Sequence, residues 1–100
     1  MNRRIILSPD ARADLRSIAR WYRRHEITLS HRFEAELNAI LYRVARFPYA
    51  SLRVNEPFRR VLMDRFRYYI YLHVRTDSVL VRRIMHQRRA DTAWEESQET

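Results

Sequence analysis

Two hydrophobic periodicities divide this chain. Between residues 8 and 47 apolar side chains recur at helical spacing, and from residue 58 to residue 85 they alternate at strand spacing. A short apolar run, residues 3–7, precedes both and reads as a first strand. Ser8-Pro9-Asp10 then marks a helix start: a serine to cap, a proline at the first helical position and a carboxylate beside the positive end of the dipole. Ala11, Leu15, Ile18 and Tyr22 form one stripe of a helix running to about Arg24, with Trp21 at its edge. Residues 25–30 read as a connector, with Thr28 or Ser30 as the next cap. A second helix follows, its stripe made of Phe33, Leu37, Ile40, Val44 and Phe47, and Pro48 stops it. Tyr42 points away from that stripe.

Residues 48–57 are bracketed by prolines and read as a loop. Phe58–Met63 is expected as a strand and Asp64 as a tight turn. Over residues 66–74, Phe66, Tyr68, Ile70, Leu72 and Val74 share one face, while Arg67, Tyr69, Tyr71 and His73 share the other. Thr76-Asp77-Ser78 turns the chain into a last strand, Val79–Met85. Hairpin connections make these three strands antiparallel. Two amphipathic helices joined by a few residues form a hairpin that covers one sheet face and leaves arginines and tyrosines on the other. Residues 90–96 are expected to form a short final helix with Trp94 against the core. All 100 residues fit one α+β domain.

Charge adds a partner to this picture. The chain carries +8, all twenty of its basic residues are arginine, and the imbalance implies nucleic acid or an acidic protein segment. Glycine is absent, which excludes a P-loop or a dinucleotide fingerprint and leaves Asn55, Asp64 and Asp77-Ser78 to make the turns. With no cysteine, neither disulfides nor a thiolate metal site is available. No apolar run approaches membrane-spanning length, so a cytoplasmic protein is expected.

Catalytic chemistry is thinly supplied. His25, His31, His73 and His86 lack metal-ligand spacing, so no metal is expected, and no serine sits in a nucleophile elbow. Cleaving RNA needs a base for the 2′-OH, an acid for the leaving oxygen and cations for the phosphate. For a nuclease, His86 would be the titrating group, with Arg60, Arg82 and Arg88 on the phosphate. Tyr69 and Tyr71 could stack on bases. A second proton-transfer group is missing, so the arginines read first as grips for an acidic protein segment.

The ordered residues Ser8-Pro9, Ala11, Ala13, Asp14-Leu15, Ile18, Tyr22, Arg32-Phe33, Leu37, Phe47-Pro48, Arg59-Arg60, Leu62, Phe66, Tyr68, Ile70, Ile84, His86, Arg88-Arg89 and Trp94 resemble the RelE/ParE superfamily of bacterial type II toxins. Ile84-x-His86-x-Arg88-Arg89 followed by Trp94 looks closer to the ParE branch than to the ribosome-dependent nucleases. The resemblance implies a β-α-α-β-β-β fold, with the helix hairpin on a small antiparallel sheet and a short C-terminal helix. It also implies an acidic cognate antitoxin, no cofactor, and DNA gyrase or another topoisomerase as target. The alternative target on this fold is the ribosome and its mRNA; a further alternative is an inactive relative that only binds its antitoxin. Antitoxin contacts are expected at Trp21, Tyr42, Arg59, Arg82 and Arg83, and target contacts at Tyr69, Tyr71, His86, Arg88 and Arg89. The sequence departs from the family at Arg67, where proline is common, and in having no glycine after Phe47-Pro48.

Overall fold

A computed structural model describes residues 2–55 and 57–89. The chain forms β1 (Arg4–Leu7), α1 (Pro9–His25), α2 (Ile27–Arg46), a 3₁₀ turn (Pro48–Ala50), β2 (Leu52–Asn55), β3 (Phe58–Leu62), β4 (Tyr68–Val74) and β5 (Ser78–His86). The strands make one sheet in the order β1-β5-β4-β3-β2. β2 to β5 form an antiparallel meander, as expected for β3 to β5, and β1 joins the far edge parallel to β5. The expected helix over residues 90–96, with Trp94, lies outside the described residues.

Ser8 caps α1 as its sequence position predicts, accepting from the Ala11 N–H at 3.0 Å. The link between the helices is tighter than expected. Glu26 alone, in extended conformation, ends α1 and begins α2, so neither Thr28 nor Ser30 is a cap and Ser30 is buried inside α2. His25 helps to close α1: its Nδ1–H donates to the Trp21 carbonyl at 2.8 Å, and its ring stacks on Trp21 at 4.0 Å. Pro48 ends α2 one residue after Phe47, which leaves the helical stripe and is 59% exposed rather than buried. The segment read as a loop contains β2, a four-residue edge strand without a clear apolar alternation.

The helix hairpin covers one sheet face. Phe33, Ile70, Leu72, Val79 and Val81 are fully buried between the layers. Where α1 and α2 meet the start of β4, Tyr22, Phe33, Phe66 and Tyr68 pack with centroids 5.3–5.9 Å apart. Burial, together with Tyr68, pushes the Tyr22 hydroxyl up to about 12. Phe66 reaches this cluster from the β3–β4 turn rather than from a strand, because β4 starts at Tyr68. Arg67, where the family often has proline, gives its carbonyl to the Gln87 N–H at 2.7 Å and so extends the β4–β5 pairing.

β5 holds the layers together. β1 pairs with it only from Ser78 to Val81, and α1 closes the edge beyond that point. The Ser8 N–H donates to the Val81 carbonyl and the Ser8 hydroxyl to the Arg82 carbonyl, both at 2.9 Å. The Asp14 carboxylate accepts the Ile84 N–H at 2.9 Å and both arms of the Arg83 guanidinium at 2.8 and 3.1 Å. These bonds lift the Arg83 guanidinium above its ordinary value.

Replacing Asp14 with alanine strips this edge, leaving a half-buried guanidinium and a strand N–H without their acceptor. The expected loss is about 2–4 kcal/mol in urea unfolding, against under about 1 kcal/mol for Asp10→Ala in the exposed first turn. Equal losses for the two variants would show that Asp14 contributes only through the helix dipole.

Candidate functional site

Register sorts the strand side chains between the covered and open faces. Across β3, β4 and β5, Arg59 lies opposite Leu72 and Val61 opposite Ile70, so both belong to the helix-covered face. Arg60 lies opposite Tyr71 and Leu62 opposite Tyr69, on the open face. A bulge interrupts β5: Tyr71 pairs with Arg83 and Leu72 with Val81, leaving Arg82 as the extra residue. Strict alternation from Val79 would turn Ile84 outward and Arg83 inward. The bulge resets the phase, so Ile84 is buried and the two arginines part, Arg83 to Asp14 and Arg82 to a position over the Phe58 ring at 5.5 Å.

The open face therefore alternates cations and rings. The Arg60 guanidinium sits 4.2 Å from the Tyr69 centroid, Tyr69 and Tyr71 are 6.1 Å apart, and Phe58 lies 5.0 Å from His73. Burial, with Arg75 and Arg82 nearby, holds His73 below its ordinary 6.5. None of the five strands contains an aspartate or glutamate.

The expected antitoxin contacts do not share one patch. Arg59 is only 7% exposed; it donates to the carbonyls of Tyr49 at 3.3 Å and Ser51 at 2.7 Å, so it pins the turn before β2 instead of offering a free cation. Arg83 is committed to Asp14. Arg82, Trp21 and Tyr42 are exposed, but Arg82 lies on the open sheet face, Trp21 on α1 and Tyr42 on α2.

The expected target contacts divide as well. Tyr69 and Tyr71 are half-buried on the open face. His86 pairs with Tyr68 on the helix side, their rings edge to face at 5.4 Å, and lines a cavity of about 420 Å³ with Trp21, Tyr22 and Arg89. Arg88 borders a neighbouring hollow with Arg67, His86 and Gln87, and its N–H donates to His86 Nδ1 at 3.2 Å.

That arrangement divides the cluster His86, Arg60, Arg82 and Arg88. The sheet stands between His86 and the open-face pair Arg60 and Arg82, so one phosphate does not meet all four groups. The Arg88 N–H also donates to His86 Nδ1, which directs that ring nitrogen to the chain's own backbone.

A third surface escaped sequence reasoning. Ile40, Arg43, Val44, Phe47, Leu52 and Leu62 line a groove of about 410 Å³ between the end of α2 and the β2–β3 edge. Phe47, Leu52 and Leu62 are 59%, 61% and 45% exposed, and Tyr49 stands nearby in the same turn. Assigning Phe47 to the helical stripe and residues 48–57 to a loop hid the groove.

The family model for the ParE toxin of the type II toxin-antitoxin system parDE matches residues 5–91. The chain belongs to the ParE toxin family. Its fold is also similar to that of a solved structure described as the chromosomal ParDE TA system from P. aeruginosa. The TM-score is 0.72 at 12% identity, over 84% of this chain and 95% of the other, a likeness of fold alone. No curated protein matches the sequence. Family membership agrees with the ParE-branch resemblance and with the α+β fold, and it makes this chain a toxin component of a toxin-antitoxin system. Among the described residues of this ParE-family chain, no helix is long and apolar enough to cross a membrane.

Because His73 is depressed, it takes up its proton at lower pH when folded than when unfolded, so its contribution to stability is lost as pH falls below about 6.5. Arg82→Ala should raise the His73 midpoint in an NMR titration and soften that acid loss. An unmoved midpoint would leave burial and Arg75 as the whole cause.

Proposed function

We propose that this chain stops growth in the cytoplasm by poisoning DNA gyrase or a related topoisomerase, and that an acidic cognate antitoxin neutralises it. Membership of the ParE family supports the class of target. The observation that carries the choice over mRNA cleavage is the sheet itself, which parts His86 from Arg60 and Arg82. A binding protein needs no proton-transfer pair, whereas a nuclease does.

The test places two assays side by side at growth-inhibiting toxin levels. Purified toxin should suppress supercoiling by gyrase and accumulate cleaved DNA, and a ribosome programmed with mRNA should keep its message intact. Cleaved mRNA with gyrase untouched would replace this reading with the nuclease one. His86→Ala should leave toxicity within roughly twofold, since a residue outside the chemistry contributes little to it.

The antitoxin's docking place is the groove beside α2. Its floor is apolar, Arg43 and Arg60 stand at its rim with Asp64 as the one acid, and an amphipathic segment with acidic flanks matches it. Long-range attraction to a +8 protein makes the encounter fast and salt-sensitive. Leu62→Glu, at an exposed position, should preserve folding and toxicity while weakening antitoxin binding by roughly tenfold or more in calorimetry. Unchanged affinity would move the interface elsewhere, with Trp21 and Tyr42 the next surfaces to vary.

A further inference from the structure

Topoisomerase poisoning leaves open whether this protein touches the nucleic acid itself. We propose that the open face of the sheet is a binding platform for single-stranded polynucleotide. This goes beyond the gyrase reading and does not depend on it, since it concerns a direct contact made by the isolated chain.

The face is laid out in rows by the strand register. Phe58, His73 and Leu80 form one row; Arg60, Tyr71 and Arg83 the next, with the bulged Arg82 beside it; Leu62, Tyr69 and Met85 the third. Neighbouring strands stand about 4.8 Å apart and same-face residues along a strand about 7 Å apart, a grid on which rings and cations alternate within reach of successive nucleotides. Two cations already neighbour rings, Arg60 at 4.2 Å from the Tyr69 centroid and Arg82 at 5.5 Å from that of Phe58. A guanidinium beside an aromatic ring keeps N–H edges to offer phosphate oxygens.

Electrostatics select a polyanion. All five strands lack a carboxylate, the acids of α1 and α2 belong to the helix layer, and Asp64 borders the face beside Arg60, Leu62 and Tyr69. Two polar atoms of the face, Arg60 Nε and His73 Nδ1, are buried without a hydrogen-bond partner, so the chain's own groups do not satisfy it.

Chemistry then favours nucleic acid over an acidic peptide. A peptide carboxylate needs cations alone, while Phe58, Tyr69, Tyr71 and His73 offer ring surface that a base can use. The apolar groove beside α2 that suits a peptide shares Arg60, Leu62 and Tyr69 with this face, while Phe58, Tyr71, His73 and Arg82 lie outside it. Single strands are favoured over duplex, because bases stacked within a helix do not present their faces to side chains.

Fluorescence anisotropy of the purified full-length chain tests this with labelled oligo-dT, oligo-rU, a DNA duplex and poly-glutamate as probes. Both single strands should bind, and more tightly than duplex. Tyr71→Ala should weaken binding by about tenfold, within the range for losing one stacked base. Arg82→Ala should lower the salt dependence by about one phosphate contact, while Arg20→Ala on exposed α1 should do so far less. Preference between the DNA and RNA probes identifies the natural strand through the 2′-OH. Failure to bind either single strand, equal losses from Arg20→Ala and Arg82→Ala, or tighter binding of poly-glutamate would each overturn the proposal. Arg82 is exposed, so its variant stays informative if Tyr71→Ala fails to fold. Gyrase cleavage measured on the same samples separates the two readings: oligonucleotide binding without gyrase poisoning sinks only the topoisomerase reading, and poisoning without binding sinks only the platform.

Discussion

A β-strand placed inside a sheet must have both of its edges satisfied, and β5 meets that requirement with two different kinds of structure. β4 covers one edge along the strand. The other is shared between four residues of parallel β1 and the first turns of α1, where Ser8 and Asp14 take over the hydrogen bonds that a longer β1 would supply. Ser8 does two jobs with one hydroxyl, accepting from the first turn of the helix and donating to the strand. Asp14 does the same with one carboxylate, which takes a strand N–H and a guanidinium together. Helix and sheet are locked in register there by polar groups, and the hydrophobic layer of Phe33, Ile70, Leu72 and Val81 closes behind them.

The functional surfaces follow from that lock. The bulge at Arg82 lets Ile84 return to the core, and with Arg83 bound to Asp14 one arginine of an adjacent pair is structural while its neighbour faces solvent. Arg59 and Arg60 divide in the same way without a bulge, by ordinary alternation: Arg59 turns in to hold the carbonyls of Tyr49 and Ser51, and Arg60 turns out over Tyr69. Half of each Arg-Arg pair therefore supports the fold and half supports the surface. The same sheet that carries the open-face arginines keeps His86 on its other side, and that separation favours docking over cleavage.

Much of the architecture was legible in the chain. Helical spacing from Ala11 to Tyr22 and from Phe33 to Val44, and alternation from Tyr68 to Val74, locate α1, α2 and β4, because burial against a single partner layer imposes those periods. β2 was not legible: four edge residues with one partner strand carry no required pattern. The helix connector was overestimated because Glu26 reverses the chain in one extended residue, with no cap side chain to announce it. The candidate site was harder to read. Arginine at a strand position looks the same in sequence whether it grips a carbonyl or faces solvent, and the apolar groove is assembled from α2, β2 and β3, none of which reveals it alone.

Sequence alone determined the family, the order of β1, α1, α2 and β3 to β5, the basic surplus and the lack of a second proton-transfer group beside His86. Those properties are local or additive, set by periodicity, composition and charge. Only the tertiary structure decided which arginines are free, because that depends on register, on one extra residue at Arg82 and on an acceptor at Asp14, 69 positions away from Arg83. The same long-range pairing set His86 apart from the open-face arginines, since a side chain's face is a property of the strand it pairs with.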